Sequence, residues 1–373
     1  MRAWLVTVPG AAPELKQIPD PVPRDGSVLV RMEASVLVSY LRPYLAGQLP
    51  GYHPPAGEFT PGTSGVGTIE AVGAQVYGLR PGQRVLLTGL VTAAENVPEP
   101  ARALLAMTAD PAAAPLLDGW PHGTLADRAL VPASTVTPVP DRLAAVPSPR
   151  LAVVARMLVP YGGLRRARLA AGETVIVTGA TGAFGRAGVH VARALGAGTV
   201  VAAGRNPAVL DTITGLDRVV PVRLTGDIPA DTAALRAAAG GGAACALDLI
   251  GGATSTAATR AALDALAQGG RLVLMGTATA PLDIDYTALM LTGREVIGHF
   301  MYPPQAPAEM LALAAAGLLD LAALEVAAYP LADLDAAMDA AARPGAPLVV
   351  AVPDPGVPDP GVPRAGGPAA TAR

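Results

Sequence analysis

Apolar and polar positions follow two rhythms along this chain. Up to about residue 150, apolar residues come in short runs broken by Pro- and Gly-rich turns: SVLVRMEASVLV (27–38), SGVGTIEAVG (64–73), PGQRVLLTGLV (81–91) and LADRALVPASTVTPV (125–139). Short runs bounded by turn residues predict strands of an antiparallel, barrel-like domain. The Ala/Pro-rich stretch 92–118 reads as a peripheral loop or short helix.

From about residue 151 the rhythm changes. Continuous apolar runs (TVIVTG, TVVAAG, RVVPV, ACALDLIG, GRLVLMG) alternate with Ala-rich helical segments (FGRAGVHVARALG, PAVLDTIT, DTAALRAAAG, STAATRAALDALAQG). Buried strands separated by amphipathic helices predict an α/β fold with a doubly wound parallel sheet. Further helices are expected over 306–320 and 331–345, and a short strand over 346–352. The end of the chain, PDPGVPDPGVPRAGGPAATAR, repeats a Pro/Gly unit without core-forming residues and reads as a disordered tail.

Composition narrows the function classes. The chain has 373 residues, 51% apolar and 15% charged, which suits a globular protein of about two domains. A net charge of −3 gives no electrostatic case for nucleic acid or an anionic membrane. Cys245 is the single cysteine, so neither an intrachain disulfide nor a cysteine-based zinc site can form. The start, MRAWLVTVPG, lacks the apolar core of a signal peptide, and no run is long enough to span a membrane. The expected compartment is the cytoplasm.

The strand TVIVTG ends in Gly179-Ala180-Thr181-Gly182-Ala183-Phe184-Gly185, and a helix follows at once. In the frame of the dinucleotide fingerprint G-x-G-x-x-G, Ala180 takes the first glycine position while Gly182 and Gly185 fit. Gly182 lets the backbone approach a pyrophosphate, Gly185 lets helix and strand pack closely, and the helix start offers free N–H groups. The next strand ends in Gly204-Arg205-Asn206, where an NAD-binding site would place a carboxylate for the ribose. A guanidinium there suits a 2′-phosphate, so NADP(H) is the expected cofactor. Ile250, Gly251, Gly276 and Thr277 are expected at the ligand side of later strand ends. Asp248, beside them, reads either as a ligand contact or as a structural acceptor.

The order of these features resembles the medium-chain dehydrogenase/reductase superfamily. FTPGTSGVGTIEAVGAQVYGLRPGQRV (59–85), HGTLADRALVPASTVTPVPDRL, ALDLIGG and GGRLVLMGT are similar to its successive motifs, and the resemblance covers about 1–353. It implies a GroES-like substrate domain from 1–155 and 303–353, a Rossmann NADP(H)-binding domain over 156–302, and the tail over 354–373. Zinc-dependent members carry a Cys in the region matching 34–40 and His-Glu after the Pro-Gly; here Thr63-Ser64 follow Pro61-Gly62. The four-cysteine zinc lobe is absent too. The resemblance therefore implies a zinc-independent branch, similar to quinone, enone or carbonyl reductases, with no metal. Val159-Pro160-Tyr161 also replaces the family's frequent Thr-Ala pair.

Without a metal, hydride transfer needs another group to stabilise the developing oxyanion and a source for the proton. The candidates are Tyr40, Tyr44, His53 and Tyr302, with Tyr52 next to His53 and a further histidine, His122, beside Trp120. The expected substrate is small and hydrophobic, given the proline-rich segments 49–61 and 111–122. A homodimer is implied by the resemblance; nucleic acid and membrane are not expected partners. The alternative reading is a non-catalytic NADP(H)-binding or sensing protein of the same fold.

Overall fold

The structure, a computed structural model, describes residues 1–352. It falls into two compact units, one formed by Met1–Ala155 with the chain from Leu324 onward, the other by Arg156–Ala323. The expected return at 303 thus comes too early. Residues 303–323 stay with the second unit because the helix Ala306–Ala315 is anchored there: the Tyr161 hydroxyl donates to Glu309, and Gly162 lies flush against the backbone of Met301 and Tyr302. The expected tail, 354–373, lies outside the described residues.

The first unit is mainly β. Its seven-stranded sheet is built around Ser27–Val36, which pairs antiparallel with Gly65–Val72, Arg128–Pro132 and Leu348–Val352. Arg84–Leu87 and Val136–Pro138 extend one side, and Val326–Pro330 pairs parallel with Leu348–Val352 on the other. Val28, Val30, Met32, Ile69, Val85 and Leu87 fill the core of this sheet, which is the apolar set that the runs marked. The run 81–91 splits, and Leu90–Thr92 leaves the sheet to form a hairpin with Arg102–Leu104. The segment 92–118 therefore carries a strand as well as the helix Ala114–Gly119.

The second unit opens with α1 (Val153–Arg166), within which the chain passes from the first unit to the second. Its strands are β1 (Thr174–Thr178), β2 (Thr199–Gly204), β3 (Val219–Arg223), β4 (Ala243–Asp248), β5 (Leu266–Leu274) and β6 (Glu295–Gly298). All pair in parallel, in the order 3-2-1-4-5-6. The connecting helices include α2 (Ala183–Ala194), α3 (Pro207–Asp211), α4 (Ile228–Ala238), α5 (Ala257–Asp264), α6 (Tyr286–Thr292) and α7 (Ala306–Ala315). This is the doubly wound arrangement whose strand order reverses between β1 and β4, where such sheets bind ligands at the strands' carboxyl ends.

Several expected helices are shorter than their sequence pattern, among them that over 331–345, which spans Leu334–Ala342. The segment 255–269 yields to β5 at Leu266, because Gly269 takes φ +69° and Leu266 pairs with Ala243. The helix expected over 306–320 ends at Ala315, and Gly317 then turns the chain at φ +75°.

Candidate functional site

The glycine turn sits between β1 and α2. Gly179 adopts φ +70°, a conformation that L side chains avoid, and its carbonyl accepts the Gly182 N–H at 2.8 Å. Gly185 is fixed by contact: a Cβ there would lie 1.9 Å from the Gly179 carbonyl oxygen. At Gly204 a Cβ would meet the Thr181 side chain at 2.5 Å, so β2 ends against this same turn. A Cβ at Gly182 would meet only the Gly179 oxygen, at 3.2 Å. Gly182 is the N-cap of α2 and supplies no capping side chain. The N–H groups of Ala183, Phe184 and Gly185 therefore open the helix without a side-chain cap, at its positive end. An uncapped, glycine-lined helix start of this form suits a diphosphate.

Beyond β2, Arg205 is exposed and makes no hydrogen bond or ion pair among the described residues. The strand end itself, Gly204-Arg205-Asn206, supplies no carboxylate. Asn206, expected on the cofactor, also caps α3: its Oδ1 accepts the Ala208 N–H at 3.1 Å. The chain enters a helix at Pro207, where the first N–H groups need an acceptor.

Asp248, at the end of β4, is a structural acceptor. Its Oδ1 takes the Thr178 hydroxyl at 2.5 Å and the Ile250 N–H at 3.3 Å, and its Oδ2 takes the Thr259 hydroxyl at 2.9 Å. Gly276 must be glycine because a Cβ would lie 2.2 Å from the Ile250 oxygen. Thr277 receives the Gly252 N–H at 2.8 Å, while Gly251 has open space where a Cβ would be. Ile250, Gly251, Gly276 and Thr277 are thus brought together in one pair of loops at the carboxyl end of the sheet.

Arg156 joins this region although no motif marked it. It is 7% exposed, and its guanidinium lies 5.2 Å from the Phe184 ring centroid. The available signal was one charge inside the apolar run AVVARMLV of α1. A guanidinium beside the first turn of α2 adds positive potential where the helix end already carries it.

The catalytic candidates fare differently. Tyr44 is buried, and its hydroxyl donates to the Ala106 carbonyl at 2.5 Å; burial also pushes its pKa well up. The candidate proton donor is therefore corrected to a packing residue, since its one O–H is already committed. Tyr40 stacks on Tyr52 with centroids 6.3 Å apart. His53 is exposed and held through its backbone, which pairs with Thr108 at 2.7 and 2.9 Å. His122 accepts the Thr60 N–H on Nδ1 at 3.2 Å, and burial lowers its pKa, so its ring is neutral. Tyr302 belongs to the second unit, buried against Gly162 of α1.

A small cavity in the first unit is bordered by Val36, Leu41, Tyr44, Thr63, Leu105 and Met107. Gly62 turns the chain into it at φ +103°, and a Cβ there would collide with Thr124 Oγ1 at 2.7 Å. The Thr63 hydroxyl has no hydrogen-bond partner among the described residues. Thr63 and Ser64, which the resemblance sets against the His-Glu of zinc enzymes, are neutral hydroxyls and do not make a Zn²⁺ donor set. Among the described residues no three His, Cys, Asp or Glu side chains converge on a metal-sized site. These residues do not fit zinc.

Comparison with known proteins supports the two-part fold. The family model described as alcohol dehydrogenase GroES-like domain matches residues 24–141, and that described as zinc-binding dehydrogenase matches 183–316; together they cover more than half of the chain. The chain is 32% identical over 196 residues to an acryloyl-coenzyme A reductase of Metallosphaera sedula, covering 50% of this chain and 54% of that protein. It is 29% identical over 286 residues to an L-threonine 3-dehydrogenase of Anaeromyxobacter dehalogenans, covering 74% of this chain and 76% of that protein. The fold matches that of the alcohol dehydrogenase TADH from Thermus sp. ATN1 with a TM-score of 0.77 and 22% identity, over 94% of this chain and 99% of that one. The matched region spans about half the length of the acryloyl-coenzyme A reductases.

Proposed function

Because the chain belongs to the medium-chain dehydrogenase/reductase superfamily, we propose that it is a zinc-independent, NADPH-dependent oxidoreductase. Its acceptor is a carbonyl, a quinone or an activated C=C bond, with a C=N bond as a variant of the same chemistry. The observation that carries this reading is the unpartnered Arg205 at the end of β2, next to an uncapped glycine turn and with no carboxylate in the ribose position. A guanidinium offers a 2′-phosphate two parallel charge-assisted hydrogen bonds, whereas it offers a bare ribose hydroxyl much less.

NADPH, when bound, supplies the hydride. The chain's own groups do the rest. Gly182, Ala183, Phe184 and Gly185 present backbone N–H groups to the diphosphate, and Arg156 adds charge beside them. Gly251 leaves room along the path of the cofactor, and Thr277 and Gly276 hold that loop in place. In the first unit the free Thr63 hydroxyl, beside the apolar side chains of Val36, Leu41, Leu105 and Met107, is a neutral donor for negative charge developing on an acceptor oxygen. With Tyr44 committed to Ala106, the proton comes from solvent or from one of the remaining candidates Tyr40, His53 and Tyr302. The resemblance to acryloyl-coenzyme A reductases supports an activated C=C bond among the acceptors.

A second copy of the chain is the proposed partner. β6 is an edge strand of the six-stranded sheet, and the neighbouring α6 exposes Tyr286, Met290 and Leu291. An unpaired edge beside an apolar helix face is a site for pairing with another chain. Light scattering of the purified protein tests this, with a monomer mass counting against it.

The activity is tested by following NADPH absorbance with quinones, enones, enoyl thioesters, ketones and imines, alongside metal analysis of the same sample. Turnover of an acceptor by zinc-free protein is expected, and Thr63→Val should lower kcat with the cofactor affinity unchanged. NADPH binding with no turnover of any acceptor supports the non-catalytic reading instead. Stoichiometric zinc in the active sample contradicts the metal-free assignment.

A further inference from the structure

We propose that Arg223, at the end of β3, is a second specificity-determining residue for the 2′-phosphate, acting beside Arg205; this inference rests on the NADP(H) reading above. In the parallel pair of β2 and β3, Gly204 stands opposite Arg223. Residues paired across neighbouring strands project from the same face of the sheet. The face at Gly204 is known: a Cβ there would point straight at Thr181 of the glycine turn. Arg223 therefore leaves the sheet on the side of the phosphate turn. Its chain neighbours Val222 and Leu224 turn to the opposite face and join the core with Ala203, Leu235 and Ala261.

The guanidinium of Arg223 is exposed and has no hydrogen bond or ion pair among the described residues. The carboxylates that follow it are occupied elsewhere. Asp227 Oδ1 caps α4 by accepting the Ala230 N–H at 2.8 Å. Asp231 accepts the N–H groups of Thr225 and Gly226 at 2.8 and 2.9 Å, and the Thr225 hydroxyl at 2.9 Å. Asn206, next to Arg205 in the chain, has its oxygen turned to the α3 cap. Adjacent strand ends thus present two guanidinium groups and no competing acid. Two like charges on neighbouring strands repel, and a doubly charged phosphate between them reverses the sign of that interaction. A bare ribose hydroxyl does not.

The test uses adenosine phosphates rather than turnover. Binding of 2′,5′-ADP, 3′,5′-ADP and 5′-AMP is measured by calorimetry for the full chain and for R205Q, R223Q and the double variant, with thermal melting as a control for folding. The wild type is expected to prefer 2′,5′-ADP, and R223Q to weaken that ligand about tenfold while leaving 5′-AMP unchanged. The double variant should lose less than the sum of the two single losses, since both groups serve one phosphate. If R223Q weakens 5′-AMP as much as 2′,5′-ADP, Arg223 touches the adenine or 5′-phosphate, and the proposal is wrong. Equal binding of 3′,5′-ADP and 2′,5′-ADP also overturns it. If R205Q abolishes the preference and R223Q keeps it, the Arg223 proposal fails and the cofactor reading stands. If the wild type binds none of the three, the cofactor reading fails as well.

Discussion

Thr178 donates its hydroxyl to Asp248 at 2.5 Å, tying the ends of β1 and β4 together where the strand order of the sheet reverses. The same carboxylate also holds Thr259 of α5 and the Ile250 N–H, and it is 7% exposed. Asp248→Ala leaves two hydroxyls and an amide without their buried acceptor. A loss on the order of 3 kcal/mol in urea denaturation is expected. Asp248→Asn, which keeps one acceptor oxygen, should lose clearly less.

The two glycines of the turn have separable roles. In Gly185→Ala the new methyl meets backbone, so α2 must move away from β1, and a marked fall in melting temperature is expected. In Gly182→Ala the nearest atom is 3.2 Å away, so the fold should survive with a near-normal melting temperature. That variant should nevertheless bind NADPH at least about tenfold more weakly, because the methyl stands where the diphosphate approaches the backbone. Melting curves paired with fluorescence titration distinguish the two. Equal thermal losses in both variants would contradict the division.

Cys245 lies in β4, fully buried, and burial pushes its thiol up to about 12 against the pull of Arg271. A thiol so rarely ionised and so enclosed is a poor nucleophile. The native protein should show no reaction with a thiol-specific disulfide reagent over the time in which the urea-unfolded chain reacts completely. Rapid stoichiometric labelling of native protein would show that β4 opens.

His190 lies inside α2, and burial, reinforced by Arg193, pushes it down to about 4 from an ordinary 6.5. The unfolded chain takes up this proton at higher pH than the folded one. Stability is therefore intact above about pH 6.5 and is lost as pH falls towards 4, by on the order of 3 kcal/mol. His122, lowered by burial in the same direction, adds to this slope. Urea midpoints measured across that range should fall steadily in the wild type and less in His190→Gln.

Much of the second unit was legible from periodicity alone. Continuous short apolar runs are what strands of a covered parallel sheet require, and all five runs marked in this way form strands. The β5 start was not legible, because LDALAQ has helical composition until Gly269 forces the chain out of it. In the proposed site, the glycine turn between β1 and α2 and the place of Arg205 at the end of β2 could be read from spacing. The roles of Asn206 and Tyr44 could not, since a cap on Ala208 and a bond to Ala106 depend on which backbone groups lie nearby in space. Arg156 and Arg223 belong to no motif; the first is revealed by its ring contact with Phe184 and the second by strand register.

The central claim is that the end of β2 selects a phosphorylated ribose through Arg205. Calorimetric titration of the zinc-free protein with NADPH and NADH, repeated with Arg205→Ala, tests it most directly. The account predicts that NADPH binds at least about tenfold more tightly than NADH and that the variant loses most of this preference. Equal affinity for the two coenzymes, or a preference that survives the loss of Arg205, would contradict it.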